Sequence, residues 1–147
     1  MAKTKPTIIA YQGESGAFSH LAGVRYYGNS AKFLPGPSFH HVFEAIKEGK
    51  AGQGIIPIEN TIAGSIHENY DLLAEYKFKI VGELSLRIKH YLLSTSQKIG
   101  SVTTVYSHPK ALEQCQKFLS NHPQMKPVAY LDTAGSARRV SQNQDPG

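Results

Sequence analysis

The stretch Ile55-Ile56-Pro57-Ile58-Glu59-Asn60-Thr61-Ile62-Ala63-Gly64-Ser65 constrains this chain more than any other part of it. An apolar run stops abruptly in a carboxylate, an amide and a hydroxyl. A glycine and a second hydroxyl follow, and an amphipathic segment begins at once. A buried strand that ends this way delivers polar side chains to a sheet edge, which is where open α/β sheets bind ligands. The expectation is a strand over Gly54–Ile58 with a polar exit.

The flanking sequence repeats this layout. Thr7–Tyr11 is β-branched and apolar and predicts a first strand. Ala17–Tyr27 then places Phe18, Leu21, Val24 and Arg25 at helical spacing, with Gly28-Asn29 as a stop. Lys32–Leu34 predicts a short strand cut off by Pro35-Gly36-Pro37. Ser38 is placed to cap a helix whose apolar face is Val42, Phe43, Ala45 and Ile46, ended by Gly49 and Gly52. Ile66–Tyr76 predicts a helix packing through Tyr70, Leu72, Leu73 and Tyr76. The alternation from Phe78 to Leu93 predicts a long strand-like path. Beyond it come a strand at Val102–Tyr106, a helix at about 110–119, a strand at Pro127–Leu131 and a helix from Asp132 to about Val140. A polar, turn-rich tail runs from Ser141 to Gly147. Strands alternating with helices make an α/β fold. Two lobes meeting near residues 80–90 would leave a cleft, the natural place for a ligand.

Bulk properties narrow the function. The 147 residues carry a formal net charge of +5. The basic residues are scattered, with Arg138-Arg139 the longest cluster, so a nucleic-acid footprint is weakly supported. A small substrate bearing carboxylates accounts for scattered positive charge more economically. The single cysteine, Cys115, excludes an internal disulfide and fits a reducing cytoplasm. No segment has the apolar length of a signal peptide core or a membrane span.

The four strand-to-helix junctions are Gly13–Ser19, Glu59-Asn60-Thr61 with Gly64-Ser65, Ser107-His108-Pro109, and Asp132-Thr133-Ala134. Helix N-termini present free N–H groups and partial positive charge, so several around one cleft would hold a dianion. Ordinary capping by Ser, Thr or Asp explains any one of them. Gly13–Gly16 fits neither a dinucleotide fingerprint nor a P-loop. His40-His41, His67, His90, His108 and His122 lack metal-ligand spacing, so most read as surface or capping residues. Cys115 has no sequence-adjacent activating histidine and reads as structural, whereas the neutral amide of Gln114 is suited to orienting a carboxylate.

Four segments in order resemble the prephenate dehydratases. They are Tyr11–His20; Ile56–Thr61 with Gly64-Ser65 and Tyr70-Asp71-Leu72-Leu73; Val105–Pro109 with Leu112–Cys115; and Asp132–Ala137. The resemblance covers about residues 8–147. It implies a catalytic domain over 7–147 with a two-lobed fold like type II periplasmic binding proteins, lobe 1 at about 7–85 and lobe 2 at about 86–147, incomplete at the C-terminus. It implies conversion of prephenate to phenylpyruvate, water and carbon dioxide in phenylalanine biosynthesis, with no cofactor and no metal. It also implies a homo-oligomer in the full-length protein. The arogenate dehydratases are similar. By the resemblance and the chemistry together, Asn60, Gln114, Ser107 and Glu59 are the catalytic candidates. Phe18, Ser19, Thr61, Gly64, Ser65, Thr133 and Ala134 are the substrate-binding candidates.

The sequence departs from the family in two places. It contains no Thr-Arg-Phe motif, whose threonine the family is held to need, and no Glu-Ser-Arg-Pro motif of a regulatory ACT domain. The expectation is therefore an N-terminal part of such an enzyme, impaired or inactive alone. The alternatives are an arogenate dehydratase or a non-catalytic module that binds small carboxylates.

Overall fold

The computed structural model describes residues 7–61 and 64–143. The chain divides into two compact units, one ending at Arg87 and the other beginning at Ile88.

The first unit is built on a three-stranded parallel sheet of order β2-β1-β3. β1 (Ile8–Gln12) is central, and its Ile9, Ala10 and Tyr11 are almost fully buried, as an apolar run covered on both faces must be. β2 (Lys32–Gly36) runs through Pro35, so the expected stop at Leu34 is two residues too early. Proline lacks an N–H to donate, and β2 tolerates it because it is an edge strand. β3 (Gln53–Ile55) is short.

Side-chain alternation splits the packing. Ala10, with Ile8 and Leu34 beside it, faces α2 (Phe39–Lys47) through Val42 and Ala45. Tyr11 and Phe33 meet His20 of α1 (Phe18–Tyr27). The contact of α1 with the sheet runs through Gly23, whose missing side chain admits the Phe33 ring and Ile55. Leu21, one of the residues at helical spacing, is 48% exposed. Ser38 caps α2 as expected, accepting from the His41 N–H.

The expected strand Gly54–Ile58 ends at Ile55, because Pro57 cannot extend the ladder. Ile58 instead accepts from the Ile66 N–H at 3.0 Å, closing a two-stranded antiparallel hairpin of β4 (Glu59–Asn60) and β5 (Gly64–Ser65). α3 (His67–Tyr76) follows, burying Asn69 and Leu72. Leu73 and Tyr76 are half-buried, but Tyr70 points outward at 46% exposure. Tyr76 and Phe43 join α3 to α2, and Phe43 stacks on Phe78.

The alternating path from Phe78 to Leu93 carries no strand, and among the described residues none pairs with it. Ile80, Val81, Tyr91 and Leu93 are each more than half exposed, since alternation buries side chains only where a neighbouring strand completes the ladder.

In the second unit, β6 (Thr104–Ser107) and β7 (Lys126–Ala129) pair in parallel. Val102, Ala111, Met125 and Val140 are its buried apolar residues. The single helix expected over about 110–119 is two, α4 (Pro109–Gln114) and α5 (Gln116–Ser120). Cys115 sits between them at φ −93°, ψ 6°, its N–H shared by the Ala111 and Leu112 carbonyls, which tightens the turn and breaks the helix. α6 (Thr133–Asn143) takes in Ser141–Asn143 of the expected tail, and the rest of that tail lies outside the described residues.

Candidate functional site

In a parallel sheet all strands end on one edge, so the loops after β1 and β3 share that edge. The loop after β1 is tied to β2 by the Gly13 N–H, which donates to the Gly36 carbonyl at 2.9 Å. Gly13 and Gly16 have φ of 102° and 94°, a left-handed backbone that side chains resist. The Gly16 N–H donates to Nδ1 of His20 at 3.1 Å, and the His20 ring stacks on Tyr11 at 5.1 Å. Burial, then the Glu14 charge, push the Tyr11 phenol up. This loop delivers Phe18 and Ser19, both half-buried, to the first turn of α1. Ala17 stands at the N-cap of that helix and offers no side-chain oxygen to its N–H groups.

The hairpin after β3 brings Glu59, Asn60, Thr61, Gly64 and Ser65 together. Glu59 pairs with Ser65 and Asn60 with Gly64. Asn60 is half-buried; Glu59, Thr61, Gly64 and Ser65 are exposed. Gly64, at φ 82°, makes the return possible. The polar exit is thus an antiparallel hairpin and not the end of a long buried strand. Ile66, an apolar residue, stands at the N-cap of α3. The hairpin is fixed from below by Asn69, fully buried, whose Nδ2 donates to the Pro57 carbonyl at 2.7 Å.

The second unit repeats the layout. Ser107 ends β6, half-buried, and its carbonyl accepts from the Tyr130 N–H at 2.8 Å, binding the exits of β6 and β7 to each other. Thr133 and Ala134 open α6 on the same edge. Here capping does hold: Asp132 Oδ1 accepts from the Gly135 N–H at 2.6 Å, and the Ser136 hydroxyl donates to the Asp132 carbonyl at 2.6 Å. At the Ser107-His108-Pro109 junction the cap is His108, whose Nδ1 accepts from the Lys110 N–H at 3.2 Å.

Gln114 ends α4, and its Oε1 lies 2.7 Å from Nε2 of His90. An amide oxygen only accepts, so the imidazole N–H donates and the Gln114 NH2 is left to point elsewhere. Burial pushes the Cys115 thiol up, away from the thiolate a nucleophile needs.

Reading the sequence by motif missed His90 and Asn69. His90 sat among residues assigned to a strand. Asn69 carried a usable signal, since it lies three residues before Leu72 and seven before Tyr76, on the apolar face of its helix. Among the described residues no group of three or more His, Cys, Asp or Glu is placed to hold a metal ion.

The family model for prephenate dehydratase matches residues 9–147. This chain belongs to the prephenate dehydratase family. It is 37% identical over 142 residues to the bifunctional chorismate mutase/prephenate dehydratase of Escherichia coli K12, covering 94% of this chain and 37% of the relative. It is 40% identical over 134 residues to arogenate dehydratase 2 of Petunia hybrida, covering 90% of this chain and 34% of that protein. Two solved structures are similar. The one described as "GqqA- a novel type of quorum quenching acylases" has a TM-score of 0.81 at 31% identity, over 95% of this chain and 50% of its own. The prephenate dehydratase of Staphylococcus aureus Mu50 has a TM-score of 0.72 at 29% identity, over 90% of this chain and 50% of its own. The α/β architecture with parallel sheets is that of these enzymes, a periplasmic-binding-protein-like fold. The chain spans between about a third and two fifths of the length of the curated relatives it matches.

Proposed function

We propose that this chain serves the decarboxylating dehydration of prephenate to phenylpyruvate, a step of phenylalanine biosynthesis, in the cytoplasm and within a homo-oligomer. The observation that carries the reading is the family match from residue 9 to 147, which takes in all four strand-to-helix junctions.

The chemistry suits the residues. The bond from the ring to its carboxylate breaks and releases carbon dioxide. Its electron pair completes the aromatic ring, and the ring hydroxyl departs, taking a proton to become water. The gain in aromaticity supplies the driving force, so a strong base is unnecessary. What the reaction needs is a held dianion, a stabilised leaving group and a poorly solvated carboxylate. Neutral, preorganised donors do this well. Asn60 and Gln114 offer amide N–H groups and Ser107 a hydroxyl. Glu59 acts by orienting its neighbours. Phe18, Ser19, Thr61, Gly64, Ser65, Thr133 and Ala134 bind the substrate, with backbone N–H groups at the starts of α1 and α3 facing its charge.

The test is phenylpyruvate formation from prephenate by the 147-residue chain, alone and fused to the remainder of a family member such as the Staphylococcus aureus enzyme. Asn60→Ala and Gln114→Ala are each expected to lower turnover about a hundredfold in whichever form is active. Full activity in both variants would sink the assignment. The 40% identity to the Petunia enzyme favours one second reading, in which arogenate is the substrate, and consumption of arogenate but not prephenate would select it. An acylase assay on the same samples covers the activity named for GqqA.

A further inference from the structure

We propose that Asn69 is the positioning residue of the hairpin that carries Glu59 and Asn60. The inference deepens the dehydratase reading and rests on it for its catalytic consequence.

Asn69 is an unusual residue to find in this core. It is 0% exposed, and its Oδ1 is buried without a hydrogen-bond partner among the described residues. A buried polar group left unpaired is costly, and a leucine with the same branching would avoid that cost. The compensation lies in what the other half of the amide does. The Pro57 carbonyl can only accept, so the atom facing it at 2.7 Å is Nδ2. Pro57 is where the chain has left the sheet and has no ladder partner of its own. Next in the chain, the Ile58 carbonyl accepts from the Ile66 N–H at 3.0 Å, and the Ile66 carbonyl accepts from the Asn69 N–H at 3.0 Å. The side chain and backbone of one residue therefore hold both legs of the hairpin at its base. Glu59, Asn60, Thr61, Gly64 and Ser65 all lie between those legs. A two-residue-per-strand hairpin has too few hydrogen bonds to hold its own orientation. Asn69 supplies the fixed point.

The experiment is amide hydrogen exchange on the chain and two variants, with prephenate kinetics alongside. Asn69→Leu keeps the branched, four-heavy-atom side chain and removes the donor. The Ile66 amide is expected to lose about tenfold or more of its protection, the equivalent of one net hydrogen bond. The Gly52 amide, held by the Ile8 carbonyl in the sheet, is expected to stay as protected as before. Asn69→Asp adds a readout that simple packing does not move. A protonated carboxyl can donate to Pro57 and a carboxylate cannot, and burial raises a carboxyl pKa. Ile66 protection in Asn69→Asp should be near normal at about pH 5 and lost by about pH 8, beyond any drift that Glu59, His67, Glu68 and Asp71 give the unsubstituted chain over the same range. In kinetics, Asn69→Leu should lower kcat about tenfold with KM within about twofold, and Asn69→Asp should recover kcat toward the acid side.

Unchanged Ile66 protection in Asn69→Leu, or an equal fall at Gly52, overturns the inference. So does a KM rise with kcat retained. If Asn69→Leu does not fold, Asn69→Asp decides alone, and absence of its pH step overturns the inference. Absence of prephenate or arogenate turnover in the unsubstituted chain bears on its activity alone, and the exchange result still decides the role of Asn69.

Discussion

Replacing Gly54 by alanine tests how tightly the sheet is pressed against α2. A Cβ at Gly54 would lie 2.7 Å from Val42 Cγ1 and 2.9 Å from Ile46 Cδ1. Carbon atoms pack at about 3.5–4.0 Å, so the nearer contact is about 1 Å too short. Ile46 ends in a flexible methyl and can swing. Val42 is 1% exposed and β-branched on a helix, where one rotamer dominates, so it cannot. Either α2 or β3 must move. Overpacking of this kind costs about 1–3 kcal/mol, offset by about 0.4–1 kcal/mol from the stiffer unfolded chain. The net expectation is a loss of about 1–2 kcal/mol. In urea, with a slope of about 1–3 kcal/mol/M, the midpoint should fall by about 0.3–2 M with the slope unchanged. The amide signals of β1 and α2 report on this unit. Gly100→Ala is the control, since nothing lies within 4 Å of its added methyl. Val42→Ala removes the obstructing carbon, so Gly54→Ala should cost about 1 kcal/mol less in that background. Equal cost in both backgrounds, or no cost in either, would refute the packing argument.

Tyr76 of α3 donates its hydroxyl hydrogen to the Glu44 carboxylate of α2. That bond is the leading cause that holds the Glu44 pKa below its ordinary 4.5 and pushes Tyr76 up from 10.0 to about 12. A lowered carboxyl stabilises above its unfolded value and is lost as pH falls through the folded one. A raised phenol stabilises below 10.0 and is lost as pH climbs toward about 12. The α2–α3 contact should therefore weaken below pH 4.5 and again between pH 10 and about 12, the upper step visible as phenolate absorbance. The step should vanish in Tyr76→Phe, and its persistence there would exclude Tyr76 as the group. Cys115, its thiol pushed up by burial, should react with iodoacetamide at about pH 8 at least tenfold more slowly than free cysteine, and an equal rate would contradict its placement. His90→Leu should lower turnover about tenfold by freeing the Gln114 amide, and His90→Gln, with a donor where Nε2 was, should restore it. Unaltered turnover in His90→Leu would show that Gln114 needs no holder.

Elements that rest on local pattern were legible in the sequence. β1, α1 and α2 follow apolar runs, helical spacing and caps, and Ser38 caps as its position suggests. The apolar run at Ile55–Ile58 has the pattern of one strand, because hydrophobicity does not reveal where hydrogen bonding stops. Pro57 did carry that information: without an N–H it cannot continue a ladder. The Phe78–Leu93 alternation was illegible for the opposite reason. Its period is that of a strand, but a strand also needs a partner, which no local pattern encodes. At the candidate site, the motif residues were legible and their supports were not. Asn69, His90 and His20 meet Pro57, Gln114 and Gly16 through hydrogen bonds that span 12, 24 and 4 residues. Only the last lies within reach of sequence periodicity.

The starts of the five helices that follow a strand sort in a way that bears on the proposed substrate. Three are closed by side chains: α2 by Ser38, α4 by His108 and α6 by Asp132. Two have apolar N-cap residues, α1 at Ala17 and α3 at Ile66, and these two follow the loop and the hairpin that carry Phe18, Ser19, Glu59 and Asn60. A capping oxygen occupies an N–H that would otherwise meet an anion. Capping, the bland explanation of strand-to-helix junctions, therefore accounts for those of the second unit and for the start of α2, and not for the starts of α1 and α3. Acidic caps engineered at these two starts, Ala17→Asp and Ile66→Asp, would place a negative charge where a dianionic substrate is proposed to lie. Each should raise KM for prephenate, while its N-cap gain of about 0.5–2 kcal/mol is set against the cost of a carboxylate at a buried (Ala17) or half-buried (Ile66) position. An unchanged KM in both would place the substrate's carboxylates away from both helix starts.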